Sequence, residues 1–401
     1  MEGRGIIMAE KVLKNVSLVG REEIIPHADI LIEEGRISKI WDRNSGREAG
    51  ERNKKEAEME LNLKGQYYAL PGFIDTHIHG AFGSDITDGS PEAWEDISRY
   101  KLSQGTTGYL GTVLTGPREE TEKLCRDLGR YIKKGENLNL IGVHIEGPYI
   151  NKEKKGAQNE AYIRKPSLEE VRRWHELLGD GLKLISLAPE LKGSRKVIEY
   201  ASDSDIVTGA VHTGADYEDM QQAFAAGLEL GVHLFNGMKG LHHRRPGVVG
   251  AFLEDEERPV EIIADGIHLH PAVIRMVFNC KGSENVLAIT DAMRAAGMPA
   301  GSYDLGGLEV EIEGNEARLE DGSLAGSTLT MNRALKNLIS FTGLDLIQAA
   351  KPVSHNPARL LGLNDRGLLE EGRRADIVLL DENLDVCLTM LEGDILYDER
   401  E

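Results

Sequence analysis

Four histidines and two carboxylates in this chain fall where a protein could gather them around a cation. His77 and His79 close the run Asp75-Thr76-His77-Ile78-His79. Side chains alternate along a strand, so these two share a face and can grip one ion while Ile78 points away. Glu146 ends His144-Ile145-Glu146-Gly147-Pro148, His212 and His233 stand near the ends of two later apolar runs, and Asp291 follows Thr290 at the end of the last. Each feature alone has an ordinary explanation. A lone histidine at a strand end is more often a hydrogen-bonded structural residue, an HxH pair arises by chance, and Asp291 could cap a helix. Their recurrence at equivalent strand ends argues for a metal centre.

Histidine and carboxylate ligands without cysteine suit Zn²⁺ or Fe²⁺, whereas Ca²⁺ or Mg²⁺ would prefer oxygen alone. Such an ion lowers the pKa of bound water to about 7. A carboxylate that is not a primary ligand can then take the water's proton and return it to a leaving group. Asp291 is the candidate for that shuttle. The pattern predicts hydrolysis at a carbonyl or phosphoryl centre without a redox cofactor.

The elements that would position these residues are short apolar runs alternating with helical patterns between Gly72 and Gly343. Strands are predicted at Phe73–His79, Gly108–Leu114, Leu140–Glu146, Leu182–Leu187, Ile206–His212, Leu228–Phe235, Val260–Ala264 and Val286–Thr290. Helices are predicted between most of them, among others at Pro91–Gln104, Arg118–Lys134, Ser167–Leu178, Tyr217–Ala226 and Pro271–Cys280, with Pro91, Ser167 and Pro271 as capping or first-turn residues. Eight such strands predict an α/β fold, a (β/α)8 TIM-like barrel over residues 72–354, whose chemistry sits at the carboxyl ends of its strands. An open doubly wound sheet is the competitor, but no GxGxxG turn follows the first strand. Residues 1–71 and 355–401 read as strands and turns: Lys11–Val19, Ala28–Glu33 and Arg36–Trp41 at one end, Ala375–Leu380 and Val386–Tyr397 at the other. Packing them together predicts a small β-sandwich domain built from both termini. The charged stretch Asn44–Glu60 reads as a solvated loop.

The chain has 401 residues and a formal net charge of −20. That balance argues against nucleic acid or an anionic membrane as a partner. No apolar run approaches the roughly 20 residues of a membrane span, and Met1–Glu10 lacks a secretory pattern. Three scattered cysteines (Cys125, Cys280, Cys387) form no disulfide framework, so a reducing cytoplasm is expected. An anionic small molecule would need a local basic pocket, and His242-His243-Arg244-Arg245 is the candidate.

The motifs PGFIDTHIHG (71–80), HIEGPYIN (144–151), GAVHTGADY (209–217), GVHLFNGM (231–238), IADGIHLHP (263–271), AITDAM (288–293) and LAGSTLTM (324–331) together resemble the N-acetylglucosamine-6-phosphate deacetylases of the amidohydrolase superfamily, over nearly the whole chain. The resemblance implies a principal metal site of Glu146, His212 and His233, and a second ion on His77 and His79, hence two divalent ions per subunit. It implies Asp291 as catalytic acid/base and His144 as a residue behind the ligands, and in the hydrolysis expected from it His144 or His268 joins the metal in stabilising the tetrahedral oxyanion. Ala157, Asn236, Gly237, His268, Leu324, Ala325 and Gly326 match positions that hold the sugar and its acetamido group, and Arg244 matches a phosphate-binding arginine that can act across a homodimer interface. The implied substrate is an amino-sugar phosphate. N-acetylgalactosamine 6-phosphate or a cyclic amide are alternative substrates, and a metal-free barrel scaffold is the non-enzymatic alternative. Many cyclic-amide enzymes bridge their metals with a strand-four lysine, but Lys183 stands at the wrong end of its strand, and Glu146 offers the bridging carboxylate instead. Gly237 stands where alanine is more usual, Gln158 where histidine is common and Arg245 where an acidic residue is frequent.

Overall fold

The computed structural model describes residues 10–45, 59–135 and 139–400. The greater part of the predicted charged loop, residues 46–58, and most of the amino-terminal stretch, residues 1–9, lie outside the described residues. The chain divides into two compact units, one of residues 1–74, 102–107 and 344–401, the other of residues 75–101 and 108–343.

The larger unit is organised on eight parallel strands: β1 (Phe73–Ile78), β2 (Thr106–Val113), β3 (Leu140–Glu146), β4 (Leu182–Leu187), β5 (Val207–Ala210), β6 (Leu230–Gly231), β7 (Val260–Ile263) and β8 (Val286–Ile289), hydrogen-bonded in chain order. Every residue of β1 and β2 is buried. A parallel strand covered on both faces is largely apolar on both, and the polar side chains it does bury need partners inside, as Asp75 and Thr112 have. Beyond the strand ends, the Asp291 N–H donates to the His77 carbonyl (2.9 Å) and the His79 N–H to that of Ala292 (2.9 Å), so the last strand meets the first and the barrel nearly closes. Beneath that seam, the buried Asp75 carboxylate accepts from Lys101 Nζ (2.6 Å), Thr290 Oγ1 (2.5 Å) and the Thr290 N–H (3.2 Å).

The strands at Leu140–Glu146 and Leu182–Leu187 have the predicted bounds, but β5 and β6 stop short of the histidines assigned to them. The predicted Leu228–Phe235 pairs only at Leu230–Gly231, because His233 (φ 29°) and Phe235 (φ 80°) turn the backbone out of the extended region. His212 (φ 41°) leaves β5 in the same way.

Helices α1 (Pro91–Ser103), α2 (Arg118–Lys134), α3 (Leu168–Leu178), α4 (Ser194–Ser202), α5 (Tyr217–Ala225), α6 (Gly247–Glu254), α7 (Pro271–Lys281) and α8 (Met331–Thr342) follow the strands. The Ser167 side chain accepts from the Glu170 N–H and caps α3, and Pro271 occupies the first turn of α7. Sequence reading did not resolve a three-stranded antiparallel insert after β8, at Gly301–Leu305, Leu308–Glu313 and Glu316–Arg318. Its first turn is Gly306-Gly307, both with positive φ (60° and 81°), as a two-residue hairpin whose twist matches its strands requires. Leu305, Val310, Ile312 and Ala317 pack with Leu114, Met293, Ala295 and Ala325 in a separate apolar cluster.

In the smaller unit, strands from both termini share one eight-stranded sheet. Tyr68–Pro71 pairs in parallel with Lys11–Val19 on one side and antiparallel with Ile377–Leu380 on the other. Leu13, Leu18, Ile30, Ile32, Ile377, Leu379 and Leu388 lie in one buried core. Among the described residues no helix is long and apolar enough to cross a membrane.

Lys101 and Asp75 are both buried, so removing the cation strands an ionised carboxylate inside the protein. Lys101→Met is expected to destabilise the chain by about 3–5 kcal/mol in chemical denaturation. A loss below about 1 kcal/mol would show that the pair does not hold the barrel seam.

Candidate active site

The carboxylate of Glu146, the last residue of β3, is the meeting point. Its Oε1 lies 3.0 Å from His212 Nε2 and 3.2 Å from His233 Nε2, and its Oε2 lies 3.6 Å from both His77 Nε2 and His79 Nε2. Two potential cation sites result, His77/His79/Glu146 and Glu146/His212/His233, sharing that one carboxylate. Asp291 Oδ1 completes the group at 3.0 Å from His79 Nε2 and 3.6 Å from His77 Nε2. All six side chains are buried. His212, His233 and Asp291 have positive φ (41°, 29° and 49°), a left-handed conformation costing a non-glycine residue about 1–2 kcal/mol. Such strain gathers where a side chain must be aimed.

The rings are oriented from behind. His212 Nδ1 is 2.8 Å from the Lys154 carbonyl and His79 Nδ1 is 3.4 Å from that of Thr112. A ring nitrogen facing a carbonyl oxygen carries the proton, which leaves Nε2 as a lone pair aimed at the centre. His77 Nδ1 faces the buried Glu261 carboxylate at 3.7 Å, and Glu261 in turn accepts from Thr76 Oγ1 (2.5 Å). A lone pair pointing at a carboxylate oxygen 3.0 Å away is repulsive unless a proton or a cation lies between. Both nitrogens of His77, Nδ1 of His233 and Oε2 of Glu146 are buried without a hydrogen-bond partner. The donor set therefore fits a divalent ion on each side of Glu146.

The electrostatics agree. Burial alone would raise the Glu146 carboxyl, but the His77 charge and the His212 and His233 imidazoles in contact with it hold it well below the usual range. Burial alone would lower His77 and His79. The neighbouring carboxylates outweigh it, Glu146 chiefly for His77 and Asp291 chiefly for His79, and both rings are raised. Burial would also raise Asp291, yet the hydrogen bond from His79 and the adjacent imidazoles push it down to about 2.

These residues border a cavity of about 270 Å³, whose wall includes His79, Glu146, His212, His233 and Asp291. Of the positions matched to sugar binding, Ala157, Asn236, Gly237, His268, Leu324 and Gly326 line it, while Ala325 is buried behind in the insert's apolar cluster. At Gly237 (φ 61°) an added Cβ would stand 2.5 Å from His212 Nδ1, so the glycine found where alanine is more usual lets the ring sit where it does. Gln158 accepts from the Thr115 N–H (2.9 Å) and its Nε2 has no partner. His144 does not reach the cavity. It is fully buried, 2.8 Å from Ser186 Oγ, with its ring edge-on to His77. Burial and the His77 charge lower its pKa well below the usual value, and it has no path to a substrate oxygen. Arg244 is not brought to this cavity within one chain. It borders another, of about 630 Å³, with Asp216, Tyr217, Arg245 and Glu254.

The sequence profile described as the amidohydrolase family matches residues 68–396. The chain belongs to the amidohydrolase family. Among amidohydrolase relatives, the N-acetylglucosamine-6-phosphate deacetylase of Lysinibacillus sphaericus is 36% identical over 388 residues, covering 96% of this chain and 97% of that protein. The N-acetylgalactosamine-6-phosphate deacetylase of Escherichia coli O157:H7 is 36% identical over 327 residues, covering 81% of this chain and 86% of that one. A solved mutant of the Mycobacterium smegmatis N-acetyl-D-glucosamine-6-phosphate deacetylase, in complex with N-acetyl-D-glucosamine-6-phosphate, superposes with a TM-score of 0.88 at 29% identity, covering 97% of this chain and 99% of that chain. The barrel fold and the family resemblance read from the sequence are both borne out.

Sequence reading missed the residues that hold the amidohydrolase site from outside. Asp265 accepts from His268 Nδ1 (2.7 Å) and from the N–H groups of Ile267 and His268 (both 2.8 Å), which fixes the ring that borders the cavity. Its place two and three residues before those donors is a local turn signal that was available. Glu261 and Thr112 carried no local signal, because they meet the histidines only through the barrel.

Protonated His77 and His79 cannot give Nε2 to a cation, so ion binding competes with protons. Since both pKa values are raised, occupancy in dialysis against a fixed free Zn²⁺ concentration is expected to fall between pH 8 and pH 5.5, beginning above the ordinary histidine range near 6.5. Equal metal content at both pH values, by elemental analysis, would contradict this.

Proposed function

We propose that this chain hydrolyses the acetamide of N-acetylglucosamine 6-phosphate to glucosamine 6-phosphate and acetate. The observation that carries the reading is the Glu146 carboxylate shared between two pairs of imidazoles, with Asp291 beside His79 at the wall of the same cavity. The reaction named for the relatives supports it. The 36% identical galactosamine-type relative favours N-acetylgalactosamine 6-phosphate as the second reading.

His77, His79, Glu146, His212 and His233 would hold two divalent ions, Zn²⁺ or Fe²⁺ by ligand type. An ion bound there polarises the acyl carbonyl as a Lewis acid and lowers the pKa of water to about 7. Asp291, ionised at neutral pH, accepts the proton of the attacking water. It then passes that proton to the far more basic departing amine. His268, fixed by Asp265, meets a substrate oxygen at the cavity wall, and Asn236, Gly237, Ala157, Leu324 and Gly326 shape the sugar's seat. His144 supports the His77 ring. Arg244 binds the phosphate through a bidentate guanidinium contact. Its place outside the metal-site cavity of its own chain supports a homodimer in which it serves the neighbouring copy. Three free thiols support the cytoplasm as the compartment.

Acetate release is expected from the N-acetylated sugar phosphate, weakly from the unphosphorylated sugar, and not after chelation. Release that survives complete metal removal would exclude the metal-assisted reading, and preference for the galactosamine substrate would select the second one. Asp291→Asn should retain its metal and lose about 10²–10⁴-fold in kcat. A variant with wild-type turnover would remove the shuttle. Mixing Arg244→Ala with Asp291→Asn subunits should restore activity that neither variant has alone if the arginine acts across the dimer; no recovery places it in its own subunit's site.

A further inference from the structure

Beside the metal-site cavity lies another of about 300 Å³, and the two share one lining residue, Leu114. Leu114 follows the last residue of β2 and packs with Leu305, Met293 and Ala325 in the apolar cluster of the insert. The Gly306 turn lies so close that a Cβ there would stand 3.3 Å from Leu114 Cδ1. The partition between the cavities is therefore Leu114 from the barrel side and Leu305-Gly306 from the insert. Beyond it the space is real and partly polar. Thr115, Asn159 and Arg294 border it.

We propose that Leu114 sets the length of the acyl group that this enzyme removes, an inference that rests on the deacetylase reading above. Apart from the cation-binding and hydrogen-bonding groups, the metal-site cavity offers apolar side chains only at Leu114, Ala157, Leu305 and Leu324. The acyl methyl is the one wholly apolar end of an N-acetylated sugar phosphate, so it belongs against that wall. Leu114 and Leu305 are themselves 8% and 2% exposed and packed from behind, so the wall cannot yield to a longer chain without repacking. Shortening Leu114 does something different from ordinary cavity creation. It opens the acyl end into existing space of about 300 Å³, enough for several methylene groups.

The test compares kcat/KM for N-acetyl-, N-propionyl- and N-butyryl-glucosamine 6-phosphate, by amine release from the full-length, metal-loaded protein. A closed apolar wall discriminates about 10- to 200-fold per methylene, so the wild type is expected to fall about 100-fold or more from acetyl to butyryl. Leu114→Ala should narrow that ratio by about 10-fold or more, and Leu114→Val should narrow the acetyl-to-propionyl ratio in the same direction. Leu114→Val keeps a branched apolar side chain after the strand and carries the test if the alanine variant does not fold. A wild type active on the acetyl substrate, with acyl selectivity unmoved in the folded variants, overturns this inference alone, as does a wild type that cleaves butyryl as well as acetyl. A metal-loaded wild type inert on every N-acyl sugar phosphate overturns the deacetylase reading and this inference with it.

Discussion

One buried carboxylate organises this protein. Glu146 sits with both oxygens among four imidazole nitrogens, 2% exposed, where an isolated anion would be costly. The arrangement is tolerable only with positive charge on both sides of it, and the rings are turned to supply or to bind that charge. Carbonyls of Lys154 and Thr112 and the carboxylate of Glu261 lie behind them. Around this centre the backbone accepts left-handed conformations at His212, His233 and Asp291 that loops would ordinarily leave to glycine. The Asp75–Lys101–Thr290 cluster and the His77–Asp291 backbone bond keep the first and last strands from separating beneath it.

The work is divided between rigid and variable parts. The six clustered side chains stand at or just past the ends of barrel strands, where a packed scaffold fixes them. The rest of the cavity wall is built by the segments that leave those strands: Asn236-Gly237 after β6, the Asp265–His268 turn after β7, and the insert with its Leu324–Gly326 return after β8. This is the usual economy of a barrel, in which loops alter the substrate while the strands preserve the chemistry.

Much of this was legible because strand periodicity is local. An HxH pair must share a face, and Glu146 and Asp291 close apolar runs whose carboxyl ends meet in any such barrel. The strands and the capping of α3 and α7 followed from the same short-range rules. The boundaries of β5 and β6 did not, because a histidine forced to positive φ by its neighbours looks in sequence like one more strand residue. The three-stranded insert was missed because its strands are short and its glycine turn lies in a stretch without strong apolar alternation. His144 was over-read as a group able to reach substrate, since a histidine two residues before a ligand shares its face in the pattern but lies deeper in the fold.

The residue types and their order along the chain thus determined the barrel, the donor set and the family, since alternation, capping and ligand chemistry are properties of short segments. Tertiary structure alone decided how closely that one carboxylate approaches both histidine pairs and that Asp265 and Glu261 steer the rings. It also placed Arg244 outside the cavity and made Leu114 the wall between two spaces. Those are distances between segments scores of residues apart. They are set by how the barrel closes and how the insert packs, which no local pattern encodes.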